Sequence, residues 1–181
     1  MQQVLILSGP PGSGKTSVSL AICERFDRML HVSVDDLRHW VRAGYRRPWD
    51  GDQQAQEQQV MAAENASALA RVAVSHRYAA IIDDVVTRPQ VEVYRQALQG
   101  VAAEVHLVTL LPRLDACLAR DAARGLNSIP DRVRAVHAEL TLAIAEGAIP
   151  GAVLDSAGDA DAYATADRVQ DAVSRGLARF T

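Results

Sequence analysis

The chain has 181 residues, and its 49% hydrophobic and 23% charged content is typical of a folded domain rather than a disordered or fibrous chain. A formal net charge of -3 excludes the strong positive field that would hold a long polyanion, so a general nucleic-acid coat protein is not expected. This length fits one domain, residues 1–181, and it excludes two complete enzymes.

The cysteines and the start of the sequence bear on the compartment. Cys23 and Cys117 lie far apart in amphipathic patterns, so we expect two buried thiols in a reducing environment. The chain begins without a basic segment leading into a long apolar one, and it has no run of about 18 apolar residues. We therefore expect a cytoplasmic protein without a membrane partner, and the oligomeric state is left open.

Short apolar runs alternate with longer amphipathic segments along the chain. The runs, which are typical of strands buried on both faces, are residues 4–8, 30–34, 78–83, 104–111 and 152–155. The helical patterns cover residues 14–27, 53–76, 89–99, 112–124, 130–146 and 160–178. This alternation predicts an α/β domain with three α/β/α layers and a five-stranded, mostly parallel sheet. Ligands of such sheets bind at the carboxyl ends of the strands.

A glycine-rich segment, which we call the phosphate loop, follows the first predicted strand. Residues 9–16, GPPGSGKT, match the pattern G-x-x-x-x-G-K-[ST] and run directly into a helical pattern. Glycines let backbone N–H groups converge on phosphate oxygens, and the following helix presents its positive end to the same anion. The predicted nucleotide-binding residues are Gly9, Gly12, Ser13, Gly14, Lys15, Thr16 and Ser17. The alternative is a strand-to-helix turn that matches by chance.

Within this loop, two side chains have chemistry suited to ATP and Mg²⁺. Lys15 is expected to contact the β- and γ-phosphates and the group being transferred, and the Thr16 hydroxyl is expected to hold the metal.

The loop does not by itself define a reaction. The chain is short for a motor or transporter ATPase and lacks an N-K-x-D motif of GTPases. A small kinase is favoured, a nucleotide-binding ATPase or switch module is the competing class, and the choice of ATP over GTP is open.

Carboxylates follow the second and third predicted strands, on the same edge of the sheet as the phosphate loop. A kinase needs a carboxylate that orients the acceptor hydroxyl and takes its proton, and Asp35 is our candidate for this base. After the third strand, Asp83 or Asp84 is expected to hold Mg²⁺ or contact substrate. The alternatives are that Asp35 or Asp36 only caps a helix beginning near Leu37, and that the second pair only forms a turn.

A basic face is predicted on the helix at residues 112–124. Arg113, Arg120 and Arg124 share that face, and a loop at residues 125–130 follows. We expect residues 113–130 to form a lid in which Arg120 and Arg124 stabilise the charge on the transferring phosphoryl group. The alternative is a solvated helix with surface ion pairs, for example to Asp121, and for Arg113 we favour it.

These motifs together resemble the P-loop kinase group that contains phage-type polynucleotide 5′-kinases, chloramphenicol phosphotransferase and gluconate kinase. The similar elements are the loop at residues 9–16, VDDLR at 34–38, IIDD at 81–84, and Arg124 with Gly125 before Pro130. The resemblance covers residues 3–140 and is strongest to the polynucleotide kinase domain. It implies a P-loop NTPase fold with a short helical lid.

The resemblance also implies roles for single residues. It makes Asp35 the base, Arg38 a contact to substrate or phosphate, Asp84 a site carboxylate and Arg124 the lid arginine. Val34 departs from the family, where an arginine often precedes the paired aspartates. A valine pair at 85–86 also replaces a polar pair. These departures weaken the case for a polynucleotide substrate and do not affect the residues predicted to bind ATP.

The acceptor is the least determined part of the function. In the segment 38–49, which includes Trp40 and Arg42, basic residues alternate with rings, a composition suited to stacking a base or holding a polar metabolite. The alternative is that Trp40 and Trp49 pack this segment onto the helix 53–76. We expect a small-molecule hydroxyl acceptor (metabolite, nucleoside or antibiotic), with a nucleic-acid 5′ end as the second option. The predicted substrate contacts are Asp35, Arg38, Trp40, Arg42 and Asp84, and the predicted metal contacts are Thr16, Asp83 and Asp84.

Overall fold

The computed structural model describes residues 2–180. The strands are β1 Gln3–Ser8, β2 Met29–Ser33, β3 Ala79–Asp83, β4 Glu104–Leu110 and β5 Ala152–Leu154. The helices are α1 Lys15–Cys23, α2 Val34–His39, α3 Gln53–Ser75, α4 Arg88–Ala97, α5 Leu114–Ala122, α6 Pro130–Ala145 and α7 Ala162–Ser174. A 3-10 turn, Gly125–Asn127, lies between α5 and α6.

The five strands form one sheet in the order β2-β3-β1-β4-β5. Every neighbouring pair of these strands is parallel, so the predicted sheet is confirmed. β1 lies in the centre with β3 on one side and β4 on the other. The chain leaves β1 at the point where the strand order reverses, which is where sheets of this kind bind ligands.

The central strand contributes to a core on each side of the sheet. Val4 and Ile6 pack in the core that contains residues of α3, α4 and α6, whereas Leu5 and Leu7 pack in the core with α1 and α7. This alternation places helices on both faces and gives the predicted three layers. None of the helices within residues 2–180 has the length and apolar character to cross a membrane.

Several element ends differ from the prediction. β2 ends at Ser33, and α2 begins at once because the Ser33 hydroxyl accepts a hydrogen bond from the Asp36 N–H. α7 ends at Ser174 rather than near residue 178. Gly176, at φ 72, and a hydrogen bond from the Leu177 N–H to the Ala172 carbonyl close that helix in a Schellman motif.

Candidate active site

The phosphate loop connects β1 to α1 in a conformation that requires glycine. Gly14 precedes α1 with a φ of 91 and a ψ of 11, a left-handed conformation. A Cβ at Gly9 would lie 2.3 Å from the Leu110 carbonyl oxygen, and one at Gly12 would lie 2.3 Å from that of Cys117. The loop is therefore packed tightly against the end of β4 and against α5.

Thr16 and Asp83 meet directly at the end of the phosphate loop. The Thr16 hydroxyl donates a 2.6 Å hydrogen bond to Asp83 Oδ2, and Lys15 Nζ lies 3.5 Å from the Pro10 carbonyl oxygen. The buried Ser13 hydroxyl has no hydrogen-bond partner within residues 2–180. The loop thus presents an ammonium group and two hydroxyls, and β3 adds one carboxylate beside them.

Asp83 is suited to remain charged. Burial raises the pKa of Asp83, but the interaction with His31, the Lys15 charge and the Thr16 hydroxyl together bring the pKa below its ordinary value. A hydroxyl and a carboxylate are the oxygen ligands that Mg²⁺ takes. Within the described residues no three His, Cys, Asp or Glu side chains form a metal-binding group. Thr16 and Asp83 can thus supply only part of a magnesium shell.

The position of Asp84 differs from the predicted one. Its side chain is buried, with Oδ1 accepting a 2.7 Å bond from Arg38 Nη2 and Oδ2 accepting a 2.7 Å bond from the Tyr94 hydroxyl. Each oxygen accepts a hydrogen bond inside the core, and adjacent residues at a strand end point in opposite directions. Asp84 therefore supports Arg38 from within the core, which corrects its assignment as a metal and substrate ligand.

Arg38 connects this buried carboxylate to the candidate base. Its Nη1 donates a 2.7 Å bond to Asp35 Oδ1, whose side chain is 76% exposed in the first turn of α2. Burial lowers the pKa of Arg38, but the charges of Asp84 and Asp35 outweigh it, so the pKa lies above its ordinary value. Because Ser33 caps α2, neither Asp35 nor Asp36 is used as the cap.

A cleft of about 250 Å³ brings five of the predicted residues together. These residues are Lys15, Thr16, Asp35, Arg38 and Arg124. The phosphate loop forms one part of its wall, and α2 and the N-terminal half of α6 form others. The phosphate loop and the Asp35 carboxylate therefore line one cleft.

Trp40 and Arg42, both predicted to bind substrate, lie outside this cleft. Trp40 is 67% exposed and follows the last residue of α2. The rings that line the cleft are His39 and Tyr45, which stack at 5.5 Å, and Trp49. The predicted segment thus supplies rings to the cleft, but Trp40, at the end of α2, is not one of them.

The alternative packing of this segment by its tryptophans is also not observed, since both rings remain exposed. Glutamine side chains of α3 hold the segment instead. Gln58 Nε2 donates a 2.7 Å bond to the Gly44 carbonyl, and Gln59 Nε2 donates a 3.0 Å bond to that of Pro48. Side-chain amides thus fix the backbone and leave the rings available.

The two predicted catalytic arginines face different cavities. Arg124 lines the cleft, whereas Arg120 donates to the Ser13 carbonyl at 3.3 Å and to the Ser156 carbonyl at 3.2 Å. Arg120 also lines a second cavity of about 340 Å³, together with Gly14 and Ser17 of the phosphate-loop region. Arg120 therefore joins the phosphate loop to the segment after β5.

Asp121 secures the turn that follows α5. Its buried carboxylate accepts bonds from the Ser128 hydroxyl at 2.7 Å and the Ile129 N–H at 2.8 Å. Between Asp121 and Ser128, the side chain of Leu126 is fully exposed. Arg113 forms an exposed pair with Asp115, as favoured for that residue. The predicted lid, residues 113–130, thus consists of α5 and an exposed turn that is anchored at its C-terminal end.

Sequence reasoning missed Arg132 entirely. It lies in the first turn of α6, and its guanidinium carbon is 5.6 Å from the centre of the Trp49 ring. The available signal was its position just after Pro130, at the start of the helix that follows the lid. Only the packing of α6 beside the segment before α3 places it in the cleft.

The parallel sheet, the phosphate loop and the cleft define a P-loop NTPase fold of the kinase-like type. A sequence profile described as AAA domain matches residues 4–146, and the chain belongs to this family. No curated protein sequence matches the chain significantly.

Solved structures share this fold at low sequence identity. Shikimate kinase from Acinetobacter baumannii, in complex with shikimate, matches with a TM-score of 0.63 and 16% identity over 97% of this chain and 94% of its own. The tunicamycin resistance protein of Deinococcus radiodurans gives 0.65 and 19%, over 99% and 98%. The Pnkp1/Rnl/Hen1 RNA repair complex gives 0.58 and 17%, over 80% and 46%. The resemblance to the P-loop kinase group is confirmed for the fold.

Proposed function

We propose that this protein is an ATP-dependent kinase that transfers the γ-phosphoryl group to a hydroxyl of a small molecule. The observation that carries the proposal is that Lys15, Thr16 and Asp35 line the same cleft. Phosphoryl transfer needs a phosphate cradle and an acceptor-orienting carboxylate in one space. The kinase-like fold supports the same conclusion.

The nucleotide side uses the phosphate loop. Its backbone N–H groups and the Ser13 hydroxyl bind the phosphates, with Gly9, Gly12, Gly14 and Ser17 shaping the contact. Lys15 follows the γ-phosphoryl group during transfer. Thr16 and the ionised Asp83 fit Mg²⁺, directly or through its waters. When bound, this ion neutralises charge on the β- and γ-phosphates.

On the acceptor side, Asp35 acts as the base. As the acceptor oxygen forms its bond to the γ-phosphorus, the bond to the bridging oxygen breaks, ADP leaves, and the hydroxyl proton moves to the Asp35 carboxylate. Asp35 Oδ2 accepts no hydrogen bond within residues 2–180, so it is available for that proton. Arg38 holds the other oxygen and fixes the carboxylate at the cleft.

Residues 113–130 act in this proposal as the lid of a single domain. Arg124 reaches the cleft and stabilises charge on the transferring group, while Arg120 holds the phosphate loop in place. Gly125, at φ 59, and the fully exposed Leu126 support a segment that closes over bound nucleotide and excludes water.

The test measures transfer of radiolabelled γ-phosphate from ATP to a panel of sugars, nucleosides, aminoglycoside- and chloramphenicol-like alcohols and oligonucleotides. Asp35→Asn should lower kcat by about 10²- to 10⁴-fold while ATP binding, measured by calorimetry, is unchanged. Asp36→Asn is the matched control, since it removes the adjacent charge outside the cleft, and it should keep wild-type turnover. Full activity of Asp35→Asn would remove the proposed base.

A nucleic-acid 5′-hydroxyl is the second candidate acceptor, because Tyr45 and Trp49 offer rings for base stacking beside cationic groups. Phosphorylation of oligonucleotides alone within the panel would select it. A nucleotide-dependent switch would instead release ADP at a rate that responds to a protein partner and to no alcohol.

A further inference from the structure

The cleft holds more cationic than anionic side chains. Lys15, Arg38, Arg124 and Arg132 all line it, whereas Asp35 is the single carboxylate among residues 2–180 that does so. Lys15 is proposed to bind the phosphates of the donor nucleotide. Arg38 is already neutralised by its two carboxylate partners. Of the other two arginines, Arg124 is proposed to act on the transferring phosphoryl group, and Arg132 has no role in the proposed transfer.

These two arginines have different surroundings. Arg124 is half-exposed and has Asp121 Oδ1 at 4.0 Å. Arg132 is half-buried and forms no ion pair with any carboxylate in the described part of the chain. Burial and the nearby Arg38 charge lower the pKa of Arg132, and the exposed Glu139 on the same helix opposes them only in part. A partly desolvated cation without a counter-ion is unfavourable, so a bound anion would stabilise it.

The guanidinium of Arg132 lies over the Trp49 ring, and both residues line the cleft. The Arg132 guanidinium lies 5.6 Å from the ring centre, and that of Arg47 lies at 5.9 Å. Arg47 is paired with Asp50 at 3.0 Å and does not line the cleft. Stacking on an aromatic ring orients the guanidinium plane and leaves its N–H donors available at the edge. Such a planar fork matches the paired oxygens of a carboxylate or phosphate.

We infer that the ligand of this cleft carries an anionic group, a carboxylate or a phosphate, which Arg132 binds while stacked on Trp49. The inference rests on the proposed function in taking this ligand to be the phosphoryl acceptor. The acceptor is then a hydroxy acid or a phosphorylated alcohol, and a neutral sugar or alcohol is a poor substrate. Arg132 is the residue that makes this distinction.

A binding experiment tests the anion site separately from catalysis. The chain has two tryptophans, so Trp40→Phe leaves Trp49 as the single reporter of fluorescence. The protein is saturated with Mg²⁺ and a non-hydrolysable ATP analogue to occupy the phosphate loop. It is then titrated with glycerol, glycerate and glycerol 3-phosphate, and with ribose, ribonate and ribose 5-phosphate. The acid and phosphate arms identify which anion is preferred.

The anionic probes should bind about tenfold to hundredfold more tightly than their neutral counterparts, since one charge-assisted pair accounts for a difference of that size. Arg132→Gln should remove this preference. Arg134→Gln is the matched control because Arg134 lies on the same helix, is exposed and pairs with Asp131 outside the cleft, so it should keep the preference.

Equal binding of neutral and anionic probes, failure of every anionic probe to bind, or a preference that survives Arg132→Gln would overturn the inference. So would a weaker affinity for the ATP analogue in Arg132→Gln, which would place Arg132 on the donor side. The same probes are also supplied as acceptors with ATP. Binding through Arg132 without transfer to any acceptor, in this set or in the wider panel, supports the anion site and counts against the kinase proposal.

Discussion

The Thr16 hydroxyl and the Asp83 carboxylate, 67 positions apart in the chain, are joined by a 2.6 Å hydrogen bond. The pairing of Leu7 with Asp83 in neighbouring strands sets this contact, because it places the end of β3 beside the start of the phosphate loop. The carboxylate stays ionised, since its neighbours lower its pKa. Two oxygen donors of the kind that Mg²⁺ uses are therefore in direct contact beside the phosphate loop.

Loss of the Thr16 hydroxyl should weaken the use of Mg²⁺. We expect Thr16→Ala to lower turnover by about 10²-fold and to raise the Mg²⁺ concentration needed for half-maximal activity, because one metal ligand is removed. Thr16→Ser keeps a hydroxyl and should stay near the wild-type response. The measurement is nucleotide turnover against Mg²⁺ concentration. Identical magnesium curves for Thr16→Ala and wild type would contradict the proposed role.

Substitution of Gly12 should destabilise the protein by more than the cost of its positive φ alone, because a side chain at this position would also clash. A Cβ at Gly12 would meet the Cys117 carbonyl at 2.3 Å, whereas Gly100 has a similar φ, 72 against 80, and nothing within 4 Å. Gly100→Ala should cost about 1–2 kcal/mol of unfolding free energy. Gly12→Ala should cost more than this and weaken ATP binding, as measured by denaturant unfolding and calorimetry. Equal costs would show that the loop relaxes without penalty.

The buried contacts of Asp84 should contribute mainly to stability. Asp84→Ala removes the buried carboxylate that pairs with Arg38 and leaves the guanidinium buried. We therefore expect a loss of about 3–5 kcal/mol of unfolding free energy. Tyr94→Phe removes one hydrogen bond to the same carboxylate and should cost about 1–3 kcal/mol. The exposed pair of Asp171 is the control, and Asp171→Ala should change stability by less than about 1 kcal/mol. A wild-type unfolding midpoint for Asp84→Ala would contradict this account.

The lowered pKa of Asp83 predicts a specific dependence of stability on pH. A carboxylate whose pKa is lower in the folded than in the unfolded chain stabilises the fold above its unfolded value, here 3.8, and loses this effect as the pH falls through the folded value. The wild type should therefore lose stability relative to Asp83→Asn on acidification below about pH 4. Unfolding curves at a series of pH values measure the difference. Parallel profiles for the two proteins would contradict it.

Much of the fold followed from local pattern. The apolar runs at residues 4–8 and 78–83 are typical of strands buried on both faces, and both are strands in the sheet. The short helix α2 was harder to predict because it begins directly after β2 without an intervening loop. Its cap, Ser33, lies inside the apolar run, where a serine gives little indication of a boundary.

Some parts of the site could be predicted from the sequence and others could not. The phosphate loop depends on residues that are adjacent in sequence, so a local motif predicted it. Asp83 and Asp84 looked equivalent because only the direction of each side chain distinguishes them. Trp40 was predicted as a substrate contact and Trp49 was not, whereas the chain places Trp49 and not Trp40 at the cleft.

Local pattern was enough to predict the strand and helix alternation and the phosphate loop, and it made Asp35 a candidate base, since each prediction follows from hydrophobic period or from neighbouring residues. Only the packed chain shows which carboxylate contacts Thr16, which arginine lines each cavity, and that Arg132 lies over the Trp49 ring. Those relationships join residues far apart in the chain. They depend on strand register and helix packing, which no local pattern encodes.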